Sequence, residues 1–262
     1  MNIDAPFESR QEESLVFSAK DVLALRWKHG KSPTGPPPDI AVLCYQRQLM
    51  AHIRKAYRTQ KVDGFFGELY RIKSIAGQAA VAGNFGIGAP AAVIMLEELA
   101  AFGTRQVVSI GLAGGLQPDL PAGSVVVCQA AFRDEGASRH YLPATEMVSA
   151  DPDLTRHLEQ ALSKHEIPFR VGPAWTTDAP YRETWHKAEA FQKDGFLAVE
   201  MESAAVLAAG RALGIPVGAA FVISDSLAGG RWAPDAEPQR AMHILQELLR
   251  AVLGMAVEGG GS

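Results

Sequence analysis

An α/β fold built around a central sheet follows from two features of the amino-acid sequence. Apolar runs of strand length alternate with longer segments of helical periodicity along the chain, and polar or glycine-rich turns follow the ends of several runs. With 262 residues and 47% hydrophobic side chains, the chain is long enough to bury a large core. A formal charge of −4 offers no basic footprint, so nucleic acid is not an expected partner. Nothing reaches transmembrane length and no basic, then apolar, leader opens the chain, so no membrane partner is expected. Cys44 and Cys128 lie far apart inside apolar runs, which predicts buried reduced thiols and a cytoplasmic location.

Taken in order, residues 1–13 are polar and predict no element. Ser18-Ala-Lys-Asp21 has capping-box spacing and opens a short helix over 19–29. The proline-rich stretch 31–39 is an extended linker, so residues 1–38 are expected to be an appendage to a domain spanning 39–257. Ile40–Cys44 predicts a buried strand, and 48–58 a helix with Leu49, Met50 and Ile53 on one face. Runs at 65–72 and 78–82 predict strands joined by a turn at Gly77. Asn84–Pro90 (NFGIGAP) is a glycine-rich turn into a helix over 91–102, on which Glu97 and Glu98 are expected to face solvent. A strand over 106–110 runs into a second glycine-rich turn, Gly111–Gly115 (GLAGG), and another strand spans 124–131. Asp151-Pro152 reads as an N-cap with proline at the first helical position, opening a helix to about residue 166. A strand over 171–175 precedes a polar loop, 176–184. The stretch 196–232 then reads as strand, buried alanine-rich helix, strand, which predicts a parallel crossover unit. A helix over 237–257 precedes a flexible tail, 258–262.

Several groups invite chemistry. Glu200 and Glu202 lie in an otherwise apolar context, where a carboxylate is costly unless it binds something or is capped. The plainer explanation is that Glu202 favours the helix dipole from the first turn. Asp225, in Ser224-Asp225-Ser226 at a strand end, is a general-acid candidate, although the same triplet is good cap chemistry. Polar groups at strand ends are where open α/β sheets bind ligands. The turns at 83–88 and 111–115 could cradle an anion on backbone amides or simply permit tight turns. Their spacing is not the dinucleotide fingerprint, and histidines at metal-ligand spacing are absent, so neither a nicotinamide cofactor nor a metal is expected.

Six stretches occurring in one order give the chain a family resemblance. They are Gly86–Pro90 (GIGAP), Leu96–Gly103 (LEELAAFG), Ser109–Pro118 (SIGLAGGLQP), Arg133–Tyr141 (RDEGASRHY), Val199–Ala204 (VEMESA) and Ile223–Asp225 (ISD). Together they resemble the nucleoside phosphorylase superfamily, which includes purine nucleoside and uridine phosphorylases and methylthioadenosine nucleosidases. The resemblance implies a three-layer αβα sandwich around a mixed, partly closed sheet, assembled as dimers or hexamers. It implies cleavage of the N-glycosidic bond of a nucleoside without a cofactor, with inorganic phosphate as co-substrate.

On this resemblance Glu202 holds the ribose hydroxyls, Met201 packs on the sugar and Asp225 protonates or hydrogen-bonds the purine N7. Glu200, Gly114, His140 and Arg182 complete the implied substrate contacts, and Asp225 tilts the base towards purine. The chain departs from the pattern on the phosphate side. Cys44–Gln48 (CYQRQ) replaces the phosphorylase turn Gly-Asp-Pro-x-Arg, Ser109 replaces an arginine, and Leu112 replaces a serine or threonine. That leaves Gly86, Gly88, Ser109 and Arg47 as implied phosphate contacts, a weak set for a dianion. Hydrolysis of the same bond is the alternative, although the glutamate that nucleosidases place after the first strand is missing too. A non-catalytic nucleoside-binding or storage protein is the rival from another class.

Overall fold

The computed structural model describes residues 15–33, 35–73 and 78–258; the opening segment, the turn at Gly77 and the tail beyond Glu258 lie outside the described residues. The strands are β1 (Ile40–Cys44), β2 (Thr59–Val62), β3 (Glu68–Ile72), β4 (Ala79–Gly83), β5 (Gln106–Gly115) and β6 (Val125–Asp134). They continue with β7 (Met147–Ser149), β8 (Phe169–Thr177), β9 (Ala198–Glu200), β10 (Val217–Ser226) and β11 (Ala233–Pro234). The helices are α1 (Ala19–Lys28), α2 (Arg47–Ala56), α3 (Ala89–Phe102), α4 (Pro152–Lys164), α5 (Trp185–Lys193), α6 (Ser203–Leu213) and α7 (Pro238–Glu258).

All the strands join one mixed sheet in the order β11-β10-β6-β8-β9-β5-β1-β4-β3-β2, with β7 beside β6. Strand β5 also pairs with β10, so β5, β10, β6, β8 and β9 form a closed ring at one end of an otherwise open sheet. One apolar layer packs α3 and α6 on one face, and a second packs α2, α4 and α7 on the other. A smaller cluster beneath α5 stacks Trp175 on Phe191 at 4.8 Å. This is the expected three-layer sandwich with a partly closed sheet.

The local signals at helix starts hold. Ser18 accepts from the Asp21 amide and Asp21 reaches back to the Ser18 amide, and the Asp151 side chain accepts from the Leu154 amide. Cys44 and Cys128 are free and buried. Three expectations need correction. Gly111–Gly115 is not a turn but the second half of β5, in register with β10 as far as Gly115. The 196–232 stretch is not a parallel crossover, because β9 runs antiparallel to β5 while β10 runs parallel to it. Glu98 is not on a solvated face but only 3% exposed. The polar strand β2, the short β7 and β11, and α5 carry too little periodicity to be read as elements.

Glu98 links the N-terminal segment to the domain. Its carboxylate accepts from Arg26 Nη1 on α1 at 2.9 Å and from the Phe66 amide at 2.6 Å, while the same Arg26 nitrogen donates to Gly64 O at 2.9 Å. A buried carboxylate that loses its cation keeps its desolvation cost. Arg26→Ala is therefore expected to destabilise the fold by ~1–3 kcal/mol, read as a drop in melting temperature. An unchanged melting temperature would show that α1 does not depend on this pair.

Candidate active site

The cavity floor is strand β5. Its first half pairs with β1 through Ile110; its far end lies between β9 and β10, where Gly114 faces Val199 on one side and Asp225 on the other. Such close flanking leaves no space for a side chain. A Cβ on Gly114 would lie 2.6 Å from Leu227 Cδ1 and 3.1 Å from Val199 Cγ1. Above this backbone floor opens a cavity of ≈ 610 Å³.

One wall is the junction of β9 and α6. Glu200 ends β9 and acts as the cap of α6: one oxygen accepts from the amides of Glu202 and Ser203, both at 2.8 Å. Its other oxygen accepts from Thr176 Oγ1 at 2.5 Å, and that hydroxyl accepts from the Ala204 amide at 2.9 Å. Both oxygens of Glu200 are thus committed to holding the helix start. Glu202 sits at the N-cap position without capping by its side chain. Instead Oε1 accepts from the Gly88 amide at 2.6 Å. Gly88 has φ of 90°, a conformation that glycine adopts without strain. The amide in the Gly86–Gly88 turn does meet an acidic group, and it is the protein's own carboxyl.

Both acids are buried, which pushes each carboxyl up. Glu200 accepts from three donors, so the charge of the pair resides there; Glu202, buried and facing that charge, is pushed up to about 8.

The other wall is the end of β10. The register with β5 shifts between Ile223 and Asp225, a bulge at Ser224 that re-aims the following side chain. Asp225 Oδ1 accepts from Ser224 Oγ at 2.7 Å, and Oδ2 from Trp232 Nε1 at 2.8 Å. Glu183 lines the same cavity, between a 3-10 turn, Pro180–Arg182, and α5 with its Thr184 cap. Burial and the charge of Asp225 push Glu183 up to about 7.

At the β1 end, Tyr45 fills the position after the strand, its hydroxyl 2.7 Å from Ser109 Oγ. Its ring packs edge-on to Phe85 and closely over Gly111. Burial pushes the phenol well above its ordinary range, and the charges of Glu202 and Glu200 push it further. Gln46 lines the cavity, and its Oε1 is buried with no hydrogen-bond partner among the described residues.

Of the residues singled out from the sequence, Gly114, Glu200, Met201, Glu202 and Asp225 line this one cavity, and Gly88 joins it through Glu202. Ser109 is behind Tyr45, Arg47 is exposed at the start of α2, and Gly86 is exposed in its turn. Arg182 and His140 are exposed on loops and are not part of the lining. Arg133, in the motif 133–141, is architectural: its guanidinium donates to Ser138 and to the carbonyls of Leu142, Pro143 and Thr145. Tyr45, Gln46, Thr176, Glu183 and Trp232 escaped sequence reasoning; Glu183, an acid just past a strand end, carried the one usable signal. The charged lining residues are Glu183, Glu200, Glu202 and Asp225, with no lysine, arginine or histidine among them. Among the described residues no group of side chains is arranged to hold a metal. Carboxyls on both sides of a backbone floor can stabilise a cation that develops between them and exchange a proton at one end.

A sequence profile of the phosphorylase superfamily matches residues 39–256. The chain is 31% identical over 172 residues to a guanosine phosphorylase of Halorubrum lacusprofundi, covering 64% of this chain and 71% of the relative. It is also 31% identical over 152 residues to a uridine phosphorylase of Treponema pallidum, covering 53% of this chain and 58% of the relative. The fold superposes on a purine nucleoside phosphorylase from Toxoplasma gondii in complex with immucillin-H with a TM-score of 0.74 at 22% identity, covering 85% of this chain and 91% of the other. Phosphorylases of this family need no cofactor and use phosphate as co-substrate. The chain belongs to the phosphorylase superfamily.

Proposed function

We propose that this chain cleaves the N-glycosidic bond of a nucleoside, a purine nucleoside in preference to a pyrimidine one, and that residues 39–257 form the catalytic domain. The observation that carries the reading is the placing of two carboxyl groups, Glu202 and Asp225, on opposite sides of Gly114 in one cavity. Glu202 takes the ribose hydroxyls with Met201 against the sugar, and Asp225 faces the base at N7. As the bond to the base stretches, positive charge grows on the ribosyl ring, and carboxyls fixed in the cavity wall can stabilise it. Exposed Ile87, Tyr181 and Trp232 at the mouth are apolar surface that self-association as a dimer or hexamer would cover. The two buried free thiols fit a reducing, cytoplasmic compartment.

Membership of the superfamily supports inorganic phosphate as the acceptor, giving free base and ribose 1-phosphate; of the contacts the resemblance implies for it, Gly86, Gly88, Ser109 and Arg47, Gly88 alone reaches the cavity, through its bond to Glu202. One observation favours water instead: every charged residue lining the cavity is an acid, and the buried Gln46 oxygen can accept from a neutral nucleophile. Incubation with inosine, guanosine and uridine, with and without phosphate, decides between the two. Ribose 1-phosphate formed only with phosphate supports phosphorolysis; free ribose formed regardless of phosphate supports hydrolysis; release of base from none of them would sink the proposed activity.

Glu202→Gln is expected to lower base release by ~10²-fold or more, because glutamine cannot ionise to face the charge growing on the ribose. The same variant should gain stability, with a definite pH sense. In the unfolded chain Glu202 ionises near the ordinary carboxylate value, but in the fold it holds its proton up to about 8. Between these values the folded state binds more protons, so this group's contribution is full at acid pH and is lost as pH rises. Glutamine carries no charge, so Glu202→Gln should melt ~2–6 °C above the parent at pH 8 and close to it at pH 4. Equal shifts at both pH values would contradict the buried-carboxyl account.

A further inference from the structure

Resting on that reading, we propose that Glu183 supplies the proton to the departing base, while Asp225 accepts the N–H it creates. The division follows from what each carboxyl already touches. Asp225 has both oxygens occupied as acceptors, one by the Ser224 hydroxyl and one by the Trp232 indole. Both donors present hydrogen to the carboxylate, so the natural further role of Asp225 is as an acceptor. The side chain of Glu183 accepts none of the hydrogen bonds recorded among the described residues, and it faces the same cavity. Both carboxyls line one cavity, and a carboxyl without donors to its oxygens is the one best able to carry a proton. Burial and the Asp225 charge act on Glu183 in that sense. Its backbone is fixed on both sides, by the 3-10 turn closed from the Arg182 amide to Ala179 O at 2.8 Å and by the Thr184 cap accepting from the Lys187 amide at 3.3 Å.

The step balances as follows. The C1′–N9 bond breaks and its electron pair passes into the purine ring. The Glu183 carboxyl gives its proton to N7, and Asp225 accepts the hydrogen bond from N7–H. The ribosyl cation is captured at C1′ by an oxygen of the acceptor, phosphate or water, whose surplus proton returns through solvent to Glu183.

A leaving group that needs no proton isolates this role. In 7-methylinosine N7 carries a methyl group and a positive charge, so the base departs without a general acid. Rates are compared for inosine and 7-methylinosine with saturating phosphate present, so that either acceptor is available. Glu183→Gln is expected to lower kcat for inosine by ~10²-fold or more and to change that for 7-methylinosine by less than ~3-fold. Glu183→Asp, which retains a carboxyl, should recover part of the inosine rate. If Glu183→Gln slows both substrates equally, or slows neither, the assignment is overturned while cleavage stands. If the unaltered protein releases base from neither substrate, the purine reading fails and this one with it, and uridine then shows whether cleavage itself stands.

Discussion

Strand β5 must serve three neighbours, and the cavity is a consequence of how it does so. At its start it lies between β1 and β10; past Ile110 it leaves β1, and at Gly114 it takes β9 in its place. The switch closes the ring of strands and brings the ends of β9 and β10 to either side of one residue. Backbones can approach that closely only where side chains are missing, and a Cβ at Gly114 would intrude on Leu227 and Val199. The floor of the cavity is therefore main chain, and the chemistry hangs from its two flanks. Glu200 and the bulge at Ser224 then decide where Glu202 and Asp225 point.

The flanks are electrostatically unequal, and that inequality is what the site can use. Glu200 is buried, and two helix amides and Thr176 offset part of its desolvation, so of the two acids it is the better able to carry charge. Glu202 receives one amide and faces that charge, and the fold retains it at a cost in stability. A residue that destabilises the empty protein is best explained by what it meets in the occupied one. A ribosyl ring acquiring positive charge would draw Glu202 towards its ionised form, whereas an incoming dianion would add to the negative charge that Glu200 already holds there. That is why the nature of the acceptor, and not the bond that breaks, is the point on which family membership and local geometry pull apart.

Much of this was legible in the sequence, for identifiable reasons. Strand β1 was bounded residue for residue because an unbroken apolar run leaves no other assignment, and Ser18 and Asp151 marked helix starts because cap chemistry is local. The two acids that matter stood out as charges in apolar surroundings. What failed was whatever depends on partners distant in sequence. Gly111–Gly115 reads as a turn until β10 is seen beside it, and Glu98 reads as surface until Arg26 and the Phe66 amide reach it. Glu200 and Glu202 look alike in sequence; only Thr176 and Gly88, 24 and 114 residues away, separate their roles. Glu183 was passed over because its setting comes from burial and from Asp225, which lies on β10, distant in sequence.

The central claim is that one nucleoside spans Gly114 with its sugar at Glu202 and its base at Asp225. The most direct measurement is a crystal structure with a bound C-nucleoside, whose carbon–carbon glycosidic bond cannot be cleaved. The account predicts ribose hydroxyls within hydrogen-bond distance of Glu202 and the five-membered-ring nitrogen of the base against Asp225, with C1′ above the β5 floor. A ligand bound in the reverse sense, or outside this cavity, would contradict it.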